Sequence, residues 1–199
     1  MAYIKLNNDM PGIVGLLWTK PNTGKALSKL ANALMMDPSS LSSGEREMIT
    51  ARVSYLNNCN YCCNSHSAAA NCHLHNTALV ESVKQDPQTA DVSSKMKSLL
   101  SIAEKVQQSG KSVTGEDCDS ARKAGATDEE IHETVLIAAA FCMFNRYVDG
   151  LGALEPEDKE EYKQMGLRRS VKGYGFPPFA WQRSYLNNKR NNRLALKKH

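Results

Sequence analysis

The chain has 199 residues, enough for one domain or for two small ones. With 41% apolar and 23% charged residues it is globular rather than disordered. The formal charge of +4 is uneven, because six basic residues and no acidic ones lie between Trp181 and His199. The first 180 residues carry 19 basic and 21 acidic side chains. This near-neutral body argues against a nucleic-acid partner, and we interpret the basic segment as a solvated or subunit-clasping arm.

Helical spacing of apolar residues predicts an all-α, single-domain bundle. A first helix begins at Asn22 and stops before Asp37–Pro38, with an inward face of Leu27, Leu30, Ala31 and Leu34. Ser42 and Glu45 fit a capping box at the start of a second helix. The pair Asn57–Asn58 ends that helix, and a third is predicted from about Cys59 to about His75.

The second half of the chain predicts four more helices. The first has apolar residues at helical spacing from Val92 to Val106, and Gly110 follows its end. A short helix over 115–123 stops at Gly125, and a capping box of Thr127 and Glu130 precedes a long helix over 128–149. The last is predicted from Glu155–Pro156 to Met165. We therefore divide the chain into a helical domain, 1–175, and a basic aromatic arm, 176–199.

Two apolar segments bear on location and assembly. The run from Pro11 to Trp18 is short and has no cleavage site, so we expect no signal peptide. The run from Val135 to Phe144 has ten residues, half of a membrane span, so we expect a cytoplasmic protein without a membrane partner. A helix that is apolar nearly all round is either central to its own core or shared with another subunit, and we favour a subunit interface and hence a homo-oligomer.

Four of the six cysteines fall within fourteen residues, a distribution typical of a redox or metal site. On a helix, Cys59, Cys62 and His66 share one stripe within about 60° of arc. A thiol at a helix N-terminus ionises more readily, and a histidine one turn away can take its proton. The stripe therefore predicts a dithiol cycle through a sulfenic acid and a disulfide.

Two alternatives stay open at this stage. Zinc could use Cys59, Cys62, His66 and either Cys72 or His73, although four ligands along one helix cannot converge on a tetrahedral ion. Buried packing thiols are the other alternative, and this is how we interpret Cys118 and Cys142. His73, His75 and His132 lie at helix ends, where we expect solvated caps.

Glu47 lies in the first turns of the helix before the cysteine cluster. If the two helices pack antiparallel across Asn57–Asn58, Glu47 should lie near His66. The alternative is a first-turn acid that stabilises the helix N-terminus, which suits its neighbour Glu45 better.

Several motifs together resemble the carboxymuconolactone decarboxylase superfamily, and more narrowly its alkylhydroperoxidase D-like, peroxidase-related branch. The resemblance covers roughly residues 10–175. It rests on Glu45-Arg46-Glu47-Met48-Ile49, Val53-Ser54-Tyr55-Leu56-Asn57, Cys59-x-x-Cys62-x-x-x-His66-Ser67-Ala68-Ala69, Gly125-Ala126-Thr127-Asp128-Glu129-Glu130-Ile131-His132 and Phe144-Asn145-Arg146-Tyr147-Val148-Asp149-Gly150-Leu151. The CxxC pair points away from the lactone decarboxylases of the superfamily.

The resemblance implies a role for each residue of the stripe. Glu47, through a water and His66, would deprotonate Cys62, whose thiolate attacks a hydroperoxide, and Cys59 would resolve the sulfenic acid. Helix geometry also allows the thioredoxin-like alternative, in which Cys59 is the more acidic thiol. The resemblance further implies an all-α trimer or hexamer, a hydroperoxide substrate, a dithiol or lipoyl-type protein as reductant, and neither cofactor nor metal.

Two positions depart from the family pattern. Tyr61 stands where alkylhydroperoxidase D has a second histidine, and a phenol with a pKa of about 10 donates a hydrogen bond but is a poor base at neutral pH. Peroxidase turnover is therefore expected to be weak, and reduction of a disulfide substrate is a second option. Cys63 is an additional thiol, interpreted as a packed side chain or else as a competing disulfide partner.

Overall fold

The computed structural model describes residues 2–156, 158–178 and 183. In these residues nine α-helices and one short 3-10 turn follow one another without a strand, so the all-α prediction is confirmed. The helices are α1 (Gly12–Thr19), α2 (Pro21–Met36), α3 (Ser43–Leu56), α4 (Asn60–Leu74), α5 (Thr77–Gln85), α6 (Ser94–Gln108), α7 (Gly115–Lys123), α8 (Asp128–Gly150) and α9 (Lys159–Lys172). Apart from Arg183, the basic segment from Trp181 lies outside the described residues.

Both predicted capping boxes are present. Ser42 accepts from the backbone N–H of Glu45 while the Glu45 carboxylate accepts from the backbone N–H of Ser42, and α3 begins there. The same reciprocal pair links Thr127 and Glu130 at the start of α8. Each box satisfies two backbone N–H groups that a helix start leaves without partners, which explains why these two boundaries could be predicted.

Three predicted details are wrong. Helices α1 and α5 were not expected, and α9 begins and ends later than the predicted Glu155–Met165. The carboxylate of Asp158 caps α9, and Gly173, with φ +67°, ends it after basic residues in the last turn. Helix α1 is short, nearly all apolar and has no side-chain cap, so its sequence carries neither a period nor a start signal.

Helix α2 confirms part of its predicted inward face, because Leu27, Ala31 and Leu34 are partly buried and pack against the hydrophobic core. Its buried residues are Gly24, Ser28 and Met35, whereas Leu30 is 38% exposed. A Cβ on Gly24 would lie 2.3 Å from the Leu17 carbonyl oxygen, so α1 approaches α2 closely at this glycine.

Helix α3 lies at the centre of the bundle and packs against α4, α5, α6 and α8. Its side chains and those of α6 and α8 build the main core, which includes Ile49, Val53, Leu99, Leu100 and Ile137. A second cluster at the start of α4 contains Cys59, Tyr61, Cys62, Val148, Tyr162 and Met165. Helix α9 covers α4 at this cluster, so it is in position to complete a site around the cysteines.

Helix α8 is the long apolar helix predicted from the sequence. Ile137, Ala138 and Phe141 are buried in the main core, whereas Leu136 is 41% and Met143 43% exposed on the opposite side. No helix in the described part of the chain is long and apolar enough to cross a membrane.

Candidate active site

The hairpin of α3 and α4 brings an acid and a histidine together in the interior. Asn58, with φ +56°, turns the chain between the two helices, which then pack along their length. The Glu47 carboxylate and His66 Nδ1 are 2.8 Å apart, and both side chains are at least 95% buried. The contact expected from antiparallel packing is present, because the turn is short and both residues lie on facing sides.

The surroundings of His66 favour its neutral form. Burial lowers the pKa of the imidazole, although the Glu47 carboxylate opposes that shift. Phe141 packs edge-on against the ring, with centroids 4.7 Å apart, and Tyr174 stacks on its face at 5.7 Å. With Nδ1–H donated to Glu47, Nε2 carries a lone pair and is the nitrogen able to accept a proton.

Tyr174 joins the pair from the segment after α9. Its hydroxyl donates to the second oxygen of Glu47 and lies 3.3 Å from His66 Nδ1. Burial raises the pKa of this phenol well above its ordinary value, so it acts as a donor. Gly173 and the Asn32 amide oxygen, which accepts from the Tyr174 backbone N–H, hold the segment in place.

The two cysteines of the CxxC motif have different surroundings. Cys59 is the N-cap of α4 and is completely buried, whereas Cys62 lies in the first turn. Hydrogen bonding to Cys62 and burial raise the pKa of the Cys59 thiol. This direction favours the order in which Cys62 ionises first over the thioredoxin-like alternative.

A cavity of about 70 Å³ lies between α1, α2, α4, α8 and α9, with room for a few water molecules or a small peroxide. Cys62, His66 and Tyr174 line it, whereas Cys59 does not. Its other walls are largely apolar and come from Ile13, Val14, Leu17, Leu27, Ala31, Phe141 and Phe144. One thiol of the pair thus faces the space in which a substrate would lie.

Tyr61 and Cys63, the two auxiliary candidates, lie on different sides of α4. Tyr61 lines the cavity, and burial raises the pKa of its hydroxyl, so it can donate but not act as a base. Its ring lies against Gly12, where a Cβ would come within 2.1 Å of it. Burial also raises the pKa of Cys63, which faces Lys84 and Ser67 away from the cavity.

The remaining thiols and histidines of the described residues take no part in this arrangement. Cys142 is buried and accepts from the Asn57 amide at 3.5 Å, and Cys118 is half-buried against the main core. His75 is the left-handed C-cap of α4, as expected for a cap, and His132 is exposed. Within residues 2–156, 158–178 and 183, no three His, Cys, Asp or Glu side chains are arranged to hold a metal, so the zinc alternative finds no ligand set there.

Sequence reasoning missed two residues of the site, Arg169 and Tyr174. Arg169 belongs to the buried face of α9 with Tyr162, Met165 and Gly166, and its guanidinium lies 5.4 Å from the Tyr174 ring centroid. The helical period 162, 165, 166, 169 and the stop at Gly173 were available in the sequence. These two signals could have predicted that Arg169 lies on the buried face of the helix. They could not have predicted which residues it contacts.

The fold and site define a class: an all-α dithiol protein in which an acid–histidine pair stands beside one of two neighbouring cysteines. The family model of the carboxymuconolactone decarboxylase family matches residues 21–74, which contain Glu47, Cys59, Cys62 and His66. A search of curated proteins finds no match.

Solved structures extend the likeness to most of the chain. An alkylhydroperoxidase AhpD core protein from Ralstonia eutropha JMP134, an uncharacterized peroxidase-related protein, is 28% identical with a TM-score of 0.72, over 79% of this chain and 81% of that one. An uncharacterized peroxidase-related protein from Silicibacter sp. TM1040 is 25% identical with a TM-score of 0.71, over 77% and 78%. A protein of unknown function from Agrobacterium tumefaciens shares the fold at 19% identity, with a TM-score of 0.65 over 72% and 97%. The chain is thus similar to the carboxymuconolactone decarboxylase family over residues 21–74, and to AhpD-like, peroxidase-related proteins in fold and over most of its length.

Proposed function

We propose that the protein is a thiol-dependent peroxidase that cycles Cys59 and Cys62 between dithiol and disulfide. One observation carries the proposal: Cys62 and His66 line the same cavity while His66 is hydrogen bonded to buried Glu47. A nucleophile, a base and a group that orients the base are the elements of nucleophilic catalysis.

The first half of the cycle oxidises Cys62. His66 Nε2 accepts the thiol proton, directly or through a water in the cavity, and Glu47 stabilises the imidazolium that forms. The Cys62 sulfur attacks the terminal oxygen of a hydroperoxide, so that an S–O bond forms and the O–O bond breaks. The departing alkoxide takes the proton from His66 and leaves as an alcohol, and Cys62 becomes a sulfenic acid.

The second half restores the enzyme. The Cys59 thiol attacks the sulfur of the Cys62 sulfenic acid, the S–S bond forms, and the hydroxyl leaves with the Cys59 proton as water. A dithiol or lipoyl-type protein then reduces the disulfide by thiol exchange. The raised pKa of Cys59 suits this order, because the resolving thiol stays protonated until Cys62 has been oxidised.

Turnover with tert-butyl hydroperoxide and dithiothreitol tests the proposal. We expect Cys62→Ser to lower the rate at least about 100-fold, since the nucleophile is lost. Cys59→Ser should consume one peroxide per chain and stop as a sulfenic acid that a sulfenic-acid trap captures. Cys118→Ser, a half-buried thiol away from the cavity, is the control and should keep the wild-type rate.

Retention of turnover within twofold by Cys62→Ser would contradict the proposal. So would a peroxide-induced disulfide that mass spectrometry locates at Cys63 rather than between Cys59 and Cys62.

A further inference from the structure

The cavity contains buried polar atoms that the peroxidase cycle has not used. Among the described residues, three that line it have a buried polar atom without a hydrogen-bond partner: Ser28 Oγ, Tyr61 Oη and Arg169 Nη1. Native proteins pair nearly all such atoms, so a group of them around one space calls for an explanation. A bound molecule that accepts hydrogen bonds would supply the missing partners.

Arg168 and Arg169 both line the cavity, and the buried one of the two is Arg169. Its side chain is 91% buried, and it forms no ion pair with any residue that the structure describes. Glu47 is close enough to act on it electrostatically, but both Glu47 oxygens are already engaged by His66 and Tyr174. The guanidinium therefore presents a positive charge with an unused donor to the cavity.

Arg169 and Tyr61 line the same cavity as Cys62. Both interact electrostatically with Cys62, and they also interact with one another. The Tyr174 ring lies against the guanidinium and limits its movement. Two buried donors, one of them charged, thus stand near the atom at which a peroxide would react.

We propose that Arg169 and Tyr61 are catalytic residues that bind the leaving oxygen of the peroxide as Cys62 attacks the other oxygen. The inference rests on the proposed peroxidase function and adds the groups that act on the O–O bond. As the S–O bond forms, the electron pair of the O–O bond moves to the leaving oxygen, which becomes negative before His66 protonates it. Donors fixed where this charge develops lower the barrier without having to reorganise.

The first part of the test uses no peroxide and measures whether Arg169 places a positive charge near Cys62. Alkylation of Cys62 by anionic iodoacetate and by neutral iodoacetamide is followed by mass spectrometry, and the ratio of the two rates is compared between variants. Both reagents need the thiolate, so the ratio removes any change in thiolate fraction. We expect Arg169→Met to lower the iodoacetate to iodoacetamide ratio about tenfold and Arg169→Lys to lower it less.

The second arm measures the rate at which tert-butyl hydroperoxide oxidises Cys62 in a single turnover. Arg169→Met should slow this step about 100-fold or more, as the loss of one donor to a developing oxyanion does. Tyr61→Phe should slow it about tenfold while leaving the alkylation ratio within twofold, because the lost group is neutral. Lys172→Met, an exposed cation one turn further along α9, is the matched control and should change neither quantity.

The outcomes separate this inference from the proposed function. If wild-type Cys62 does not react with peroxide, the proposed function is wrong. If wild-type Cys62 reacts but Arg169→Met keeps both the ratio and the oxidation rate, the inference alone is wrong. Where Arg169→Met does not fold, an unchanged oxidation rate in both Arg169→Lys and Tyr61→Phe overturns it.

Discussion

Tyr174 determines how the Glu47–His66 pair is held, although it lies far from both in sequence. Its hydroxyl donates to a Glu47 oxygen that His66 does not use, and its ring lies parallel to the imidazole, with an angle of 6° between the planes. The carboxylate is thereby fixed from two sides, and the imidazole keeps the tautomer with Nε2 free to accept a proton.

Removing the Tyr174 hydroxyl tests this role. In Tyr174→Phe the stacked ring is retained, but Glu47 loses a donor in a buried position, where a hydrogen bond to a charged group contributes about 1.5–3 kcal/mol. We expect the free energy of unfolding in urea to fall by about that amount and peroxide turnover to fall roughly tenfold. Tyr147→Phe is the control, since that hydroxyl makes one long contact of 3.5 Å to the Leu16 carbonyl oxygen. A Tyr174→Phe variant as stable and active as the wild type would contradict the assignment.

Because burial lowers the pKa of His66, the stability of the folded protein depends on pH. Its pKa in the folded protein is lowered, whereas in the unfolded chain it titrates near 6.5. Below pH 6.5 the unfolded chain therefore binds a proton that the folded protein does not, so stability is lost as the pH falls from about 7 to 5. The slope from this one group is at most about 1.4 kcal/mol per pH unit.

Urea midpoints between pH 5 and pH 8 measure this dependence. We expect the slope below pH 6.5 to be smaller in His66→Gln than in the wild type, and to be unchanged in His132→Gln, which replaces an exposed histidine. Equal slopes in all three proteins would show that His66 is not kept neutral by the fold.

The contact between α4 and α9 is the element on which the second half of the site depends. A Cβ on Gly166 would lie 2.6 Å from the Ala68 carbonyl carbon, so α9 approaches the backbone of α4 at a distance that only glycine allows. Arg169 and Tyr174 follow Gly166 along the chain and take their positions from this contact.

Gly166→Ala should therefore destabilise the protein, although alanine favours helices by about 1 kcal/mol over glycine. Because the clash is with backbone, we expect a net loss of about 1–3 kcal/mol in thermal or urea unfolding, together with slower oxidation of Cys62. Gly150→Ala is the matched control: that glycine ends α8 with nothing within 4 Å of an added Cβ, and it should be neutral or slightly stabilising. The contact hypothesis fails if the two variants behave alike.

Element by element, sequence reasoning succeeded where the signals are local. The capping boxes at Ser42 and Thr127 fixed the starts of α3 and α8, because both partners of each box lie within one turn. The contact between Glu47 and His66 followed from two helices joined by a short turn. Arg169 and Tyr174 could not be assigned to the site, since their contacts with it depend on how α9 packs on α4, which no local pattern encodes.

At the scale of the whole molecule, α8 keeps an apolar stripe on the surface. Leu136, Ala139 and Met143 are exposed at helical spacing on a helix whose other side lies in the core. Apolar side chains grouped on one exposed face are typical of a surface that another chain covers. We therefore propose that the protein forms a homo-oligomer through this stripe; the family resemblance implies a trimer or a hexamer.

Light scattering coupled to size exclusion measures the assembly. The double variant Leu136→Glu and Met143→Glu should elute with a lower mass than the wild type at the same concentration, because charges would be buried between subunits. Lys123→Glu, which also adds negative charge at an exposed position, should leave the mass unchanged. A monomeric wild-type protein would contradict the expectation.

The segment that matches the family model ends at residue 74, well before Arg169 and Tyr174. The proposed dithiol chemistry and Arg169, one of the two groups proposed to act on the peroxide, therefore come from separate stretches of the polypeptide, which meet when α9 packs on α4. If Arg169 acts as proposed, exchange of a few side chains on α9 will alter which oxidants react while both cysteines stay in place. Redesign of peroxide preference in this scaffold should accordingly begin on α9.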